Sequence, residues 1–169
     1  MKTKKGLFGF TIVEVMIVLA IGALILTIVF LAVPSLERSS RNTQRNDDSY
    51  KVLSAVNECS SNNNGDITQC LPSNGAGNYI TSGGPILSSG GYLDTSKLRQ
   101  LTTIRLYTPT STPGYPAAGV NDSAYVFSGY SCSTTSPYYT NNNVGANQFV
   151  VLFNRELASN GSSNACVSP

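Results

Sequence analysis

The chain has 169 residues, of which 12% are charged, with 11 basic and nine acidic side chains and no histidine. That length allows one small domain together with a membrane anchor. Without histidine a Ser-His-Asp catalytic triad cannot be built, and a zinc site is disfavoured. The net charge of +2 gives no basic footprint for nucleic acid. We therefore expect a structural or binding protein without metal or cofactor, and not an enzyme.

Residues 10–33 form an apolar segment, FTIVEVMIVLAIGALILTIVFLAV, in which Glu14 is the one charged residue. As a helix this segment would be about 36 Å long, enough to cross a bilayer core of about 30 Å. A carboxylate within such a segment is costly and commonly has a function. A secretory signal peptide has a shorter apolar region followed by a small-residue cleavage site, so we expect this segment to stay on the mature chain.

A short basic leader, residues 1–9, precedes the apolar segment. The residues that carry the motif are Lys2, Lys4, Lys5, Gly9, Phe10, Thr11 and Glu14. Together with the membrane-length run, this pattern resembles the N-terminus of type IV prepilins and the related pseudopilins. The resemblance implies cleavage by a prepilin peptidase between Gly9 and Phe10, followed by N-methylation of the new amino terminus on Phe10.

The junction also suggests how copies of the chain would assemble. Cleavage would leave a cation on Phe10, and Glu14 lies one helical turn away. Within a filament of packed helices a buried carboxylate must find a cation or become neutral. We expect the amino terminus of a neighbouring copy to pair with Glu14 and so to set the axial stagger between subunits.

The resemblance implies a structural subunit of a type IV pilus, a homopolymeric surface filament used in adhesion, twitching motility or DNA uptake. The precursor would be a single-pass protein of the cytoplasmic membrane, and the mature form would lie in an extracellular pilus. The implied partners are the membrane, the prepilin peptidase, the pilus assembly machinery, and surface or host-cell targets. Three alternatives stay open: a pseudopilin of a type II secretion or competence machine, a tethered adhesin, and an anchored hydrolase.

Charge gives a less direct indication of membrane orientation. Removal of the leader would leave eight basic and nine acidic side chains, so the mature chain is close to neutral. The leader lysines favour a cytoplasmic N-terminus, although Arg38, Arg41 and Arg45 flank the other end of the apolar segment. The cysteine-containing region beyond them is expected outside the cell.

Residues 34–58 are predicted to continue the N-terminal helix, with a kink or break at Pro34. Two pairs of opposite charges stand four residues apart, Glu37 with Arg41 and Asp47 with Lys51. The residues of the apolar stripe, which occupies only the last two turns, are Tyr50, Val52, Leu53, Val56 and Asn57. We expect this second half of the helix to pack on the head.

Residues 59–169 are predicted to form the head. Strand patterns occur at residues 104–107, 124–130 and 149–153, and the last, apolar on both faces, is predicted to be central. Asp94 is predicted to cap a short helix that continues to Leu101. One long helix followed by strands predicts an α+β, type IV pilin-like fold whose antiparallel sheet packs on the helix.

Four cysteines lie in the head, and the even number favours two disulfides in an oxidising exterior. Three pairings are possible. We favour Cys59 with Cys70, which would bracket a short loop, and Cys132 with Cys166, which would clasp the C-terminal region. Four buried free thiols are the alternative.

Overall fold

The structure is a computed structural model that describes residues 9–65, 70, 79–81, 85–86, 92–107, 113–135, 137–140, 148–158 and 161–169. The lysines of the predicted leader lie outside the described residues. The chain forms two compact units, Met1–Glu37 and Arg38–Pro169. Its architecture is α+β, with one long N-terminal helix and a small sheet, as the sequence predicts.

The long helix, α1, runs from Ile12 to Asn62, beyond the end predicted at residue 58. It ends where the backbone turns left-handed, with φ of 54° at Asn64 and 85° at Gly65. In this turn the Gly65 N–H donates to the Ser60 carbonyl at 2.8 Å. A left-handed C-cap of this kind satisfies carbonyl groups that the last helical turn leaves without partners.

The break predicted at Pro34 does not occur, because α1 is continuous through this residue. Proline lacks the N–H that would bond to the carbonyl of Phe30, and its ring crowds the preceding turn. Only that one hydrogen bond is removed, whereas the helix extends for many turns on both sides. A single missing donor is therefore not enough to end α1.

The second unit contains short strands after the helix. In the described part of the chain these are β1 Tyr79–Thr81, β2 Pro85–Ile86, β3 Leu93–Asp94, β4 Thr103–Tyr107, β5 Ser123–Ser128, β6 Ser131–Cys132, β7 Tyr139–Thr140, β8 Phe149–Glu156 and β9 Ser162–Val167. The main sheet has the order β1-β4-β5-β8-β9, while β2 pairs with β3 and β6 with β7. The three predicted strands correspond to β4, β5 and β8; β9 is absent from the prediction.

The main sheet is mixed: most of its neighbouring strands are antiparallel, as predicted, but one pair departs from the predicted antiparallel sheet. Strands β4 and β5 run parallel, with Thr103 opposite Ser123 and Tyr107 opposite Phe127, while the other neighbouring pairs of the main sheet are antiparallel. Parallel neighbours need a crossover that returns the chain to the starting edge. The connection between Tyr107 and Ser123, of which the structure describes residues 113–122, makes that crossover.

Successive side chains of a strand point to opposite faces of the sheet, and each face carries an apolar layer. On the helix side, β8 contributes three fully buried side chains, and α1 contributes Val52 and Val56 to the same cluster. The β8 residues are Phe149, Val151 and Phe153. On the other side, Phe127, Val150 and Leu152 pack with several partly buried tyrosines. Burying each large apolar side chain stabilises the fold by about 1.5–3 kcal/mol.

The crossover and the β6–β7 hairpin cover the sheet face opposite α1. Asn154 on β8 donates through Nδ2 to the carbonyls of Pro116, Ala117 and Val120, at 3.0 to 3.1 Å. The Tyr139 hydroxyl donates to the Pro113 carbonyl at 2.9 Å, which joins the hairpin to the crossover. These polar contacts hold an irregular segment against the second apolar layer.

Two disulfides tie the edges of this arrangement, in the pairing favoured from the sequence. Cys59 at the end of α1 bonds Cys70, and Cys132 on β6 bonds Cys166 on β9. The second bond fastens the β6–β7 hairpin to the main sheet across 34 residues of chain. In the chain-entropy account, closing a loop of this length stabilises the folded state by about 3–4 kcal/mol.

The buried face of α1 differs from the predicted stripe, because Tyr50 is 53% exposed. The face that meets the sheet includes three polar residues, Arg45, Asp48 and Ser49. Lys51, which is predicted from the sequence to pair with Asp47, instead pairs with Asp48, with a distance of 3.1 Å between Lys51 Nζ and Asp48 Oδ1. The apolar pattern could not anticipate these positions because their burial depends on specific polar partners.

Asp48 is fully buried and organises the segment before β4. Its Oδ2 accepts from the backbone N–H groups of Arg99 and Gln100, each at 2.7 Å, and of Leu101 at 3.2 Å. The helix predicted from Asp94 to Leu101 is reduced to a 3₁₀ turn, Thr95–Lys97. The N–H groups that would have extended that helix point to Asp48.

Replacing Asp48 should therefore be costly. Asp48→Ala would leave three backbone donors without their acceptor, and we expect a loss of about 3 kcal/mol in the free energy of unfolding. Asp47→Ala is the matched control. Asp47 is the exposed neighbour of Asp48, so its replacement should change the free energy of unfolding by less than about 0.5 kcal/mol. Denaturant unfolding of the full chain in detergent would compare them; equal destabilisation would contradict this role.

Candidate assembly site

The start of α1 holds the residues that the sequence singles out for assembly. Thr11 accepts the backbone N–H of Glu14 through its carbonyl at 3.2 Å and its hydroxyl at 3.3 Å, and thus acts as the N-cap. Glu14 lies in the first turn, where a negative charge interacts favourably with the helix dipole. Phe10 precedes the cap and is 83% exposed. The predicted cleavage site thus directly precedes the helix start.

An exposed apolar surface follows Glu14. Each side chain from Ile12 to Leu36 is exposed within the first unit. Exposed fractions of the large apolar side chains range from 42% at Val33 to 79% at Ile12. The best 18-residue window has a mean hydropathy of 3.0, so α1 is long and apolar enough to cross a membrane. A surface of this kind needs lipid or other apolar helices as its surroundings.

A charged cluster lies at the beginning of the second unit. Glu156, at the end of β8, accepts from Arg41 Nε at 3.0 Å and Arg41 Nη2 at 2.8 Å through one oxygen, and from Arg45 through the other. Asn42 completes the cluster: its Nδ2 donates to the Glu156 carbonyl at 3.0 Å, and its Oδ1 accepts the Glu156 N–H at 2.9 Å. Five hydrogen bonds in this cluster therefore dock α1 to β8.

The two arginines also control the ionisation of Glu156. The hydrogen bond from Arg41 is the main cause that lowers the pKa of the Glu156 carboxyl below its usual range. Burial acts in the opposite direction, and Arg45 adds to the lowering through a hydrogen bond and its charge. The carboxylate therefore stays ionised at acidities where an exposed glutamate would be protonated.

Sequence reasoning missed Glu156. The charges at Arg41 and Arg45 were visible, but Glu156 is far along the chain, and nothing local marks it as their partner. A single acid at the end of a strand that begins with five apolar residues is the one signal that could have suggested a docking point. The four cysteines lie in the second unit as disulfides and take no part in the apolar surface near Glu14.

Chemistry is otherwise sparse in the described part of the chain. Among those residues, no group of three or more histidine, cysteine, aspartate or glutamate side chains could hold a metal ion. Comparison with protein-family models, curated proteins and solved structures finds no match to this chain. The geometry of the helix and of the charged cluster is therefore the basis for a functional proposal.

The pH dependence of stability tests the Glu156 cluster. Glu156→Gln should lower the free energy of unfolding by about 2 kcal/mol at neutral pH, because charge-assisted hydrogen bonds are lost. The pKa is lower in the folded state, so this contribution is present above about 4.5, the ordinary value, and disappears as pH falls through the folded-state value.

Thermal unfolding of the full chain in detergent, from about pH 7 to about pH 3, would measure the difference between the native protein and Glu156→Gln. That difference should shrink as the solution is acidified. Glu58→Gln, which changes an exposed glutamate near the end of α1, is the control and should show little difference at either pH. A pH-independent cost at Glu156 would contradict an ionic role.

Proposed function

We propose that the protein is the structural subunit of a type IV pilus, made as a membrane-anchored precursor and polymerised through α1. The observation that most supports this proposal is an apolar helical surface that is exposed in the single chain. Glu14 is the one charged residue in residues 10–33. Lipid and a bundle of identical helices both remove such a surface from water. Assembly would then exchange one apolar environment for another.

In this proposal Glu14 fixes the axial position of each helix relative to its neighbours. Lipid contact alone imposes no axial position on a uniform apolar helix. A carboxylate in the first turn does, because in a water-free bundle it is stable only beside a cation or in the neutral form. In the proposal that cation is the amino group that cleavage creates on Phe10 of a neighbouring copy.

The disulfide-bonded second unit is the part that the filament would display. Its two disulfides suit an oxidising exterior, and no described feature of it requires a cytoplasmic environment. Adhesion, twitching motility and DNA uptake are the roles proposed for such a filament. The partners in the proposal are sister copies, a prepilin peptidase and the pilus assembly machinery.

Processing provides the first test. Intact-mass analysis of the chain taken from the cell surface should give a polypeptide that starts at Phe10 and carries one added methyl group. The same chain from cells without prepilin peptidase should keep residues 1–9. A surface-exposed chain that still begins at Met1 would contradict the proposal and favour a tethered adhesin.

Assembly provides the second test. Glu14→Gln keeps the shape of the side chain and removes its charge, so subunits should enter the membrane normally and yield far fewer filaments. Loss of one partner of a buried ion pair costs about 3–5 kcal/mol, and this cost recurs at each subunit contact. Electron microscopy of surface filaments and fractionation of membranes would measure both effects.

Glu58→Gln is the matched control, because it neutralises an exposed glutamate at the opposite end of α1. It should leave filament number unchanged. Normal filaments from Glu14→Gln subunits would overturn the role of the charge pair. Short envelope-bound assemblies together with a secretion defect would instead identify a pseudopilin.

A further inference from the structure

The first turns of the second unit carry an excess of positive charge. Arg38 Nη1 donates to the Ala158 carbonyl at 3.2 Å, and Arg155 Nη2 donates to Asn46 Oδ1 at 3.2 Å. Both partners are neutral. In the described part of the chain, these two guanidinium groups have no carboxylate partner, since the nearby Glu156 is occupied by Arg41 and Arg45. Arg41 and Arg45 thus share the Glu156 carboxylate, whereas Arg38 and Arg155 contact neutral groups.

Exposed apolar side chains lie in the same region. Leu157 follows Glu156 in the β8–β9 turn and is 45% exposed. Val120 is 37% exposed and lies next to Asn121, whose carbonyl accepts from Arg45 Nε at 2.6 Å. Only Tyr50 and Tyr138 are comparably exposed large apolar residues in the described part of this unit. Two of these four exposed residues, Leu157 and Val120, therefore lie beside the arginines.

Chain connectivity ties this surface to the apolar segment. Arg38 stands five residues after Val33, and α1 is helical through both residues. Five residues of helix rise about 7.5 Å, and even a fully extended chain would reach only about 18 Å. The headgroup layer on each side of a bilayer is roughly 5–8 Å thick. If the apolar segment crosses a membrane, Arg38 lies at the headgroups whatever the orientation of the second unit.

We propose that this surface, Arg38, Arg155, Leu157 and Val120, binds the headgroups of anionic phospholipids while the subunit is in the membrane. Arginine pairs well with phosphate, and apolar side chains next to basic ones are typical of protein surfaces at the membrane interface. The negative surface potential of anionic lipid attracts juxtamembrane arginines. Lipid is favoured over a second copy because the chain holds Arg38 at the bilayer, which gives the rest of the patch a high effective concentration of headgroups.

The inference rests on the part of the proposed function that places the apolar segment in a bilayer, and it adds a lipid class. Its consequence is that the lipid composition of the membrane would control how the second unit is held before assembly. It also gives Arg38 and Arg155 a role that the polymerisation proposal leaves unassigned, whereas Arg41 and Arg45 bind Glu156.

A single tryptophan can report the contact, because the chain contains none. The full chain with Leu157→Trp would be reconstituted into vesicles of phosphatidylcholine alone or mixed equally with phosphatidylglycerol. Tryptophan emission and its quenching by lipids brominated near the headgroup would be recorded. We expect blue-shifted, quenched emission in the anionic vesicles, and weaker effects in phosphatidylcholine or at high salt. Tyr50→Trp is the control site and should not respond to lipid charge.

Adding Arg38→Gln and Arg155→Gln to Leu157→Trp should lower the ratio of docked to undocked heads roughly 30-fold in anionic vesicles. Equal quenching in both vesicle types, or no change on removing the arginines, would overturn the inference. Quenching that instead follows the protein-to-lipid ratio would indicate contact between copies and would also overturn it. Carbonate extraction separates the proposals: a chain removed from vesicles contradicts membrane insertion itself, whereas a retained chain with no lipid-charge response contradicts only the lipid contact.

Discussion

The exposed apolar surface of α1 is the constraint on which the other features depend. Eighteen large apolar side chains between Phe10 and Leu36 are at least 42% exposed. Even at a fraction of the roughly 1.5–3 kcal/mol that full burial of one such side chain is worth, their sum is on the order of 20 kcal/mol. That exceeds the 5–15 kcal/mol that stabilises a typical domain. The chain therefore needs an apolar environment that it does not itself provide.

The second unit has a core of its own, and the later part of the same helix packs into that core. Its apolar faces are covered by the sheet, and its polar positions are anchored one by one, at Asp48, Asn154 and Glu156. Two of these anchors join an element of regular structure to a segment without any, Asp48 to the stretch before β4 and Asn154 to the crossover, whereas Glu156 joins β8 to α1. The carboxylates of Asp48 and Glu156 and the Nδ2 of Asn154 make hydrogen bonds to defined partners, so these anchors also specify the arrangement, although the buried Oδ1 of Asn154 has no hydrogen-bond partner in the described part of the chain.

Much of this fold could be read from the sequence, and the parts that could not share a physical cause. The apolar helix and strands β4, β5 and β8 are visible because their signal is local periodicity. The parallel pairing of β4 and β5 is not, because it depends on a crossover between the two strands that no local pattern specifies. The docking of Arg45 onto Glu156 is also hidden, since 111 positions separate them. In the candidate site, Glu14 stood out only because its surroundings are uniformly apolar.

The contact between Asn154 and the crossover has an implication for evolution. Its amide recognises three main-chain carbonyls, so the hold on this segment does not depend on which side chains it carries. Ala117 and Ala118 are exposed. Lineages could therefore exchange residues on this outward surface while the scaffold beneath stays intact, which would let this face of the second unit diversify quickly without refolding.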